Sequence, residues 1–239
     1  MLLTHLTARR LPEDWPAALP PVRRLAEQGL ELTARVTFFV GENGSGKSTI
    51  MEAIADVAGI NSAGGKAGTK YASTGPMTPL GEVLDADLTA SGTWLLHGPR
   101  LKRRAFFFRA ETLFNLGQNV SGRPGFWDED LTEQSHGEGF FTVLERMVSG
   151  PGLYLMDEPE AALSFLSCVR LAGLMQRVAD EGGQIICATH SPILTGLPGA
   201  QIIELGEHGM RTTAWEDLQL VDHWRRFLAK PDFYLRQEE

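Results

Sequence analysis

Eight residues, Gly41-Glu-Asn-Gly-Ser-Gly-Lys-Ser48, constrain this chain more than any others. They fit G-x-x-x-x-G-K-[ST], the spacing of a phosphate-binding P-loop. The flanks strengthen the match. Val36-Thr-Phe-Phe-Val40 is a β-branched and aromatic run that reads as a buried strand. Thr49 to Ala58 then places Ile50, Ile54 and Val57 at helical spacing. Strand, glycine-rich turn and helix is the order that anion binding requires. Glycines let backbone N–H groups turn inward, and the helix N-terminus adds partial positive charge. The expected phosphate-binding set is Asn43, Gly44, Ser45, Gly46, Lys47, Ser48 and Thr49. Lys47 is expected to reach the β- and γ-phosphates, and the Ser48 hydroxyl to hold Mg2+. A nucleoside triphosphate and Mg2+ are the expected ligands.

The 239 residues suffice for one α/β domain with a sizeable core. A net charge of −8 argues against a protein that coats nucleic acid over its whole surface. No apolar run approaches a membrane span, and the first ten residues lack the basic-then-apolar pattern of a signal peptide. No direct membrane insertion and a cytoplasmic location are therefore expected. Cys168 and Cys187, the only cysteines, lie in apolar surroundings and read as buried, reduced thiols.

Taken in order, Leu2–Thr7 carries a strand signal. A proline-rich loop follows, with Trp15 expected to pack, then an amphipathic turn through Val22–Gln28. Residues 59–81 read as a long loop. Leu84–Leu88 and Thr93–His97 alternate like paired strands. Ala105–Glu111 reads as a buried strand ending in polar residues. The cluster Arg100, Lys102, Arg103 and Arg104 ahead of it is a solvated edge or a candidate contact for nucleic-acid phosphates. Residues 112–134 begin in a helical pattern and become loop-like. Further on, Leu153–Met156, Gln184–Thr189 and Gln201–Leu205 read as strands. Phe165, Val169, Ala172 and Met175 mark a helix face, and a last helix over Trp215–Ala229 is stopped by Pro231. Strands alternating with helices imply a mainly parallel sheet with an antiparallel start.

Leu153-Tyr-Leu-Met-Asp-Glu158 is an apolar strand ending in two carboxylates, a Walker B pattern. Asp157 at the strand tip is expected to hold Mg2+, and Glu158 beside it to polarise the attacking water as general base.

Asp157-Glu-Pro-Glu-Ala-Ala-Leu-Ser164 resembles the Walker B and D-loop of ATP-binding-cassette (ABC) ATPases. Ala188-Thr-His-Ser-Pro192 is similar to their switch-histidine strand, and Gln134-Ser-His-Gly-Glu138 to a diverged signature motif. With Phe-Arg-Ala-Glu111, these motifs resemble those of small stand-alone bacterial ATPases related to RecF, Rad50 and SMC proteins. The resemblance covers essentially the whole chain. It implies a P-loop NTPase of ABC type over residues 1–239. The fold would be a mainly parallel sheet flanked by helices, with an antiparallel N-terminal flap and a small helical subdomain at about 112–150. It implies catalytic roles for Lys47, Glu158 and His190, the last contacting the γ-phosphate. Ser135 and Gly137 would contact the γ-phosphate on a second protomer, giving an ATP-dependent homodimer. No glutamine follows the Ala105–Phe108 strand where the family places its Q-loop. Glu111 is the nearest substitute ligand for Mg2+ or its water. Ser164 also stands where many relatives carry aspartate.

Such a protein would close on ATP and gate an unknown protein partner, with DNA repair or defence against phage and plasmids as its settings. An alternative is the ATP-binding subunit of a membrane transporter. Only residues 112–134 separate Glu111 from Ser135, which leaves little room for a transporter-docking subdomain or a long coiled coil. A GTPase or small-molecule kinase is disfavoured by the missing Asn-Lys-x-Asp. Intact Glu158 and His190 argue against a module that binds nucleotide without hydrolysing it.

Overall fold

Alternate residues of five central strands point to opposite faces of one sheet and build two separate apolar layers. In the computed structural model, which describes residues 1–67, 76–99, 102–109, 141, 144–145 and 147–235, these strands are β3 (Val36–Val40), β6 (Ala105–Arg109), β7 (Leu153–Asp157), β8 (Gln184–Thr189) and β9 (Gln201–Gly206). Phe39, Phe107, Leu155, Ile186 and Ile203 face one layer; Phe38, Phe108, Met156, Cys187 and Ile202 face the other. Strands buried on both faces read as continuous apolar runs, which is why these segments were legible.

The sheet has seven strands in the order β10-β9-β3-β8-β7-β6-β4, where β4 is Gly65–Lys66 and β10 is Gly209–Thr213. Its five central strands are parallel, and β10 and β4 run antiparallel at the edges. Helix α2 (Lys47–Val57) fills the first layer with Ile50, Met51 and Ile54. A 16-residue helix, α4 (Phe165–Asp180), fills the second with Leu171, Leu174, Met175 and Val178.

The antiparallel start is a second sheet, β2-β1-β5, built from Leu30–Glu31, Leu3–Ala8 and Leu84–Leu88. Two buried glutamines fasten it to the main sheet. Gln184 Oε1 accepts from the backbone N–H groups of Leu2 and Leu3 at 2.7 and 2.8 Å, and its amide donates to the Leu3 carbonyl at 2.7 Å. Gln201 accepts from Thr33 N–H and donates to the Glu31 carbonyl, both at 2.9 Å.

Several expectations fail for local reasons. Thr93–His97 is not a strand partner of β5; it belongs to helix α3 (Ala90–His97), whose first turn is capped by the Thr89 hydroxyl accepting from Gly92 N–H. The Val22–Gln28 turn is a full helix, α1 (Pro20–Gln28), in which proline sits where no donor is needed. Pro231 starts a short helix, α7 (Pro231–Leu235), after α6 (Gln219–Ala229), for the same reason. A four-residue helix, α5 (Pro192–Thr195), follows β8. On α4 the buried face is Cys168, Leu171, Leu174, Met175 and Val178, whereas Phe165 and Val169 are exposed. Trp15 is 62% exposed and does not pack into the core. The subdomain expected at about 112–150 lies largely outside the described residues.

Candidate functional site

The carboxyl ends of β3, β8 and β7 lie side by side and carry the P-loop, Thr189–His190 and Asp157–Glu158 respectively. At the β3 end, a Cβ on Gly41 would collide with the Leu205 carbonyl of β9, so only glycine lets the loop leave the strand there. Gly46, with φ +94°, turns the chain through the left-handed region into α2. Helix α2 begins at Lys47, so the first N–H groups of that helix are left for an anion. Asn43, Gly44, Ser45 and Gly46 form the turn itself, and Ser48 and Thr49 lie in the first helical turn.

Lys47 is only 4% exposed. Its Nζ donates to the Gly41 carbonyl at 2.7 Å and the Glu42 carbonyl at 3.1 Å, folding the side chain back over the loop. Burial lowers its pKa, against the opposing pull of Glu158, Asp157, Glu160 and Glu42. The Ser45 hydroxyl is buried in the same turn with no hydrogen-bond partner among the described residues. An orphaned donor inside a glycine nest fits a site built for anionic oxygens.

Ser48 Oγ donates to Asp157 Oδ1 at 3.3 Å. Asp157 is buried, and that burial pushes its carboxyl up, while Arg109 and the Ser48 hydrogen bond pull it down. One hydroxyl and one carboxylate, converging beside a phosphate nest, are the sparse oxygen donors that suit Mg2+ completed by phosphates and water. The residues present therefore fit the ion that the sequence implied.

Glu158 follows at the tip of β7 in the left-handed region, at φ 50° and ψ 50°, alone among the described non-glycine residues in having positive φ. Its backbone N–H donates to the Ala188 carbonyl at 2.9 Å. Its carboxylate Oε1 lies 3.1 Å from His190 Nε2. Backbone strain of this kind persists only where the surroundings impose it, and it gathers at functional sites.

Sequence reasoning missed three members of the site. Glu160 Oε1 accepts from Thr189 Oγ1 at 2.6 Å and from the His190 backbone N–H, bracing the turn that presents the His190 ring. Arg109, at the end of β6, reaches Asp157, and Glu52 of α2 holds Arg109. Glu160 and Arg109 stand inside the quoted motifs Asp157–Ser164 and Phe-Arg-Ala-Glu111, so their positions were visible although their roles were not. Nothing in the pattern of α2 singled out Glu52.

Glu111, Ser135 and Gly137 lie outside the described residues. So does Arg100 of the basic cluster; Lys102 stands over the Trp94 ring and Arg103 donates to the Gly98 carbonyl. These two cations precede β6 and lie at the end of the sheet opposite the P-loop. The serine that replaces aspartate in the D-loop, Ser164, caps α4 by accepting from Ser167 N–H.

Two family models match parts of the chain: "AAA domain" over residues 22–76, and "AAA domain, putative AbiEii toxin, Type IV TA system" over residues 139–195. The cytochrome c biogenesis ATP-binding export protein CcmA of Salmonella typhi is 26% identical over 185 residues, covering 72% of this chain and 84% of its own. CcmA of Mesorhizobium japonicum is 42% identical over 60 residues, or 25% of this chain and 29% of its own. Among solved structures, the SMC head domain from Thermotoga maritima aligns over 90% of this chain and 99% of its own, at 17% identity and a TM-score of 0.48. The two domain models, the ATP-binding relatives and the P-loop and Walker B strands of this sheet together support a small P-loop ATPase-like domain, similar to the ATP-binding proteins of ABC type.

Proposed function

We propose that this chain binds Mg-ATP in the P-loop and hydrolyses it as one half of a head-to-tail homodimer whose closure gates a protein partner. The observation that carries the reading is the convergence of Lys47, Ser48, Asp157, Glu158 and His190 at three adjacent strand ends, with Ser48 and Asp157 3.3 Å apart. Nest N–H groups and Lys47 hold the β- and γ-phosphate oxygens; Lys47 exchanges its two loop carbonyls for them. Ser48 and Asp157 would hold Mg2+, which would supply positive charge to offset that of the phosphates. Glu158 accepts a proton from the attacking water while His190, braced through Glu160, orients the γ-phosphate side.

Within one protomer these groups surround one side of the triphosphate. Ser135 and Gly137 of a two-fold related copy are the donors we assign to the other side, in the helical subdomain that we place at about 112–150. An isologous contact of this kind yields two equivalent sites. We place this ATPase in genome maintenance or defence against mobile DNA, consistent with the resemblance to RecF, Rad50 and SMC proteins. The relatives that are ATP-binding export proteins favour a second reading, a transporter subunit. Co-purification with a membrane protein would select that one.

Light scattering after size exclusion tests the assembly. Glu158→Gln with saturating ATP should run as a dimer, and adding Ser135→Arg should return it to monomer without loss of ATP binding. A trapped protein that stays monomeric at tens of micromolar, or a dimer indifferent to Ser135→Arg, refutes the sandwich. Lys47→Ala should bind no ATP at all.

A further inference from the structure

Arg109 carries a charge that the mechanism above does not use. It ends β6, and the parallel register that sets it opposite Asp157 brings its guanidinium to the metal side of the site. Three contacts define its place. Nη1 donates to Glu52 Oε1 at 2.7 Å and to the Ser62 carbonyl at 3.3 Å, and Nε stands 3.7 Å from Asp157 Oδ2. The side chains of Arg109 and Asp157 are 19% and 7% exposed, so water screens this pair poorly. Arg109 also lies over the Phe107 ring, 5.8 Å from its centroid. The cation is thus fixed from the helix side by Glu52, from the loop by Ser62 and from below by Phe107.

We propose that Arg109 is a built-in counter-ion for Asp157 that suppresses capture of a bare divalent cation, so that the metal enters together with the nucleotide's phosphates. This rests on the assignment of Ser48 and Asp157 as the metal-holding pair. A divalent ion on Asp157 must approach a guanidinium that cannot swing away without breaking its bond to Glu52. At the separation of neighbouring side chains, even the dielectric constant of water leaves a double and a single positive charge opposing each other by about tenfold in binding. Lower local polarity enlarges the factor. A metal–triphosphate complex is net negative, so the same guanidinium no longer repels it. Arg109 is a positioning residue in this scheme. It acts through the charge state of the Asp157 surroundings and touches no reacting atom.

Electron paramagnetic resonance of Mn2+ titrated into the full chain without nucleotide measures the effect directly, and a fluorescent ATP analogue measures nucleotide binding separately. Arg109→Gln should bind bare Mn2+ about tenfold more tightly than wild type. Arg109→Lys, which keeps the charge, should stay within about twofold of wild type. Affinity for the Mn2+–nucleotide complex should rise in neither variant, because a net-negative complex gains nothing from removal of the cation. The Arg109→Gln/Glu52→Gln pair, whose two amides can still hydrogen-bond, should remain tighter for bare Mn2+. A return to wild-type affinity there would assign the gain to a freed Glu52 carboxylate and overturn the proposal. Wild-type Mn2+ affinity in Arg109→Gln overturns it as well. If the wild-type protein binds no nucleotide analogue, the P-loop assignment has failed, and that outcome is distinct from an unchanged Mn2+ affinity.

Discussion

Replacing Glu158 by glycine should stabilise the nucleotide-free protein relative to replacing it by alanine, the reverse of the usual order. At φ 50° and ψ 50° a side-chain-bearing residue meets its own carbonyl, which costs about 1–2 kcal/mol. Glycine escapes that cost but loses roughly 0.5–1 kcal/mol more backbone entropy on folding than alanine. Both variants lose the carboxylate and its contact with His190, so those losses cancel in the comparison. The net expectation is a glycine variant more stable by about 0.5–1 kcal/mol, or about 1–4 °C in melting temperature for a chain of this length. Urea unfolding of the two variants without nucleotide measures the difference. An alanine variant as stable as the glycine variant, or more so, would show that Glu158 carries no backbone strain. The link between that strain and the placement of the base would then go with it.

Two further outcomes follow from burial around the site. The folded pKa of Asp157 lies above its unfolded value, so the folded state holds that proton more tightly; this contribution is full below the unfolded pKa and is lost as pH rises through the folded one. Asp157→Asn should therefore gain on wild type, in nucleotide-free melts, as pH rises from about 4 to 7, and a gap that stays flat or narrows contradicts the buried carboxylate. Cys168 and Cys187 are 4% and 0% exposed, and burial pushes both thiols up, so a thiol reagent at neutral pH should label them only at the rate of unfolding. Rapid labelling of the native protein would contradict the packing of both β8 and α4.

What could be read from the residues alone follows physical lines. The P-loop, the Walker B strand and the core strands were legible because strands buried on both sides must be apolar throughout, and because phosphate nests need glycine at set positions. The β5–α3 region misled because Thr93–His97 is too short for helical periodicity to separate from alternation, although Thr89 three residues before Gly92 is a capping signal. On α4, Phe165 and Val169 mimic a core face, but the burial stripe begins three residues later, and hydrophobicity does not report which side meets the sheet. Arg109, Glu52 and Glu160 act through tertiary placement: their partners lie 48, 57 and 30 positions away in the chain. No local pattern encodes such pairs.

We assign to Glu158 the activation of water at the Mg-ATP site proposed for Lys47, Ser48 and Asp157. Phosphate release by Glu158→Gln, measured beside its ATP affinity, tests it most directly. ATP affinity should stay within about threefold of wild type while turnover falls by at least about a hundredfold, the usual contribution of a positioned base. Wild-type turnover in that variant, with ATP still bound, would contradict the assignment and hand the water to another residue.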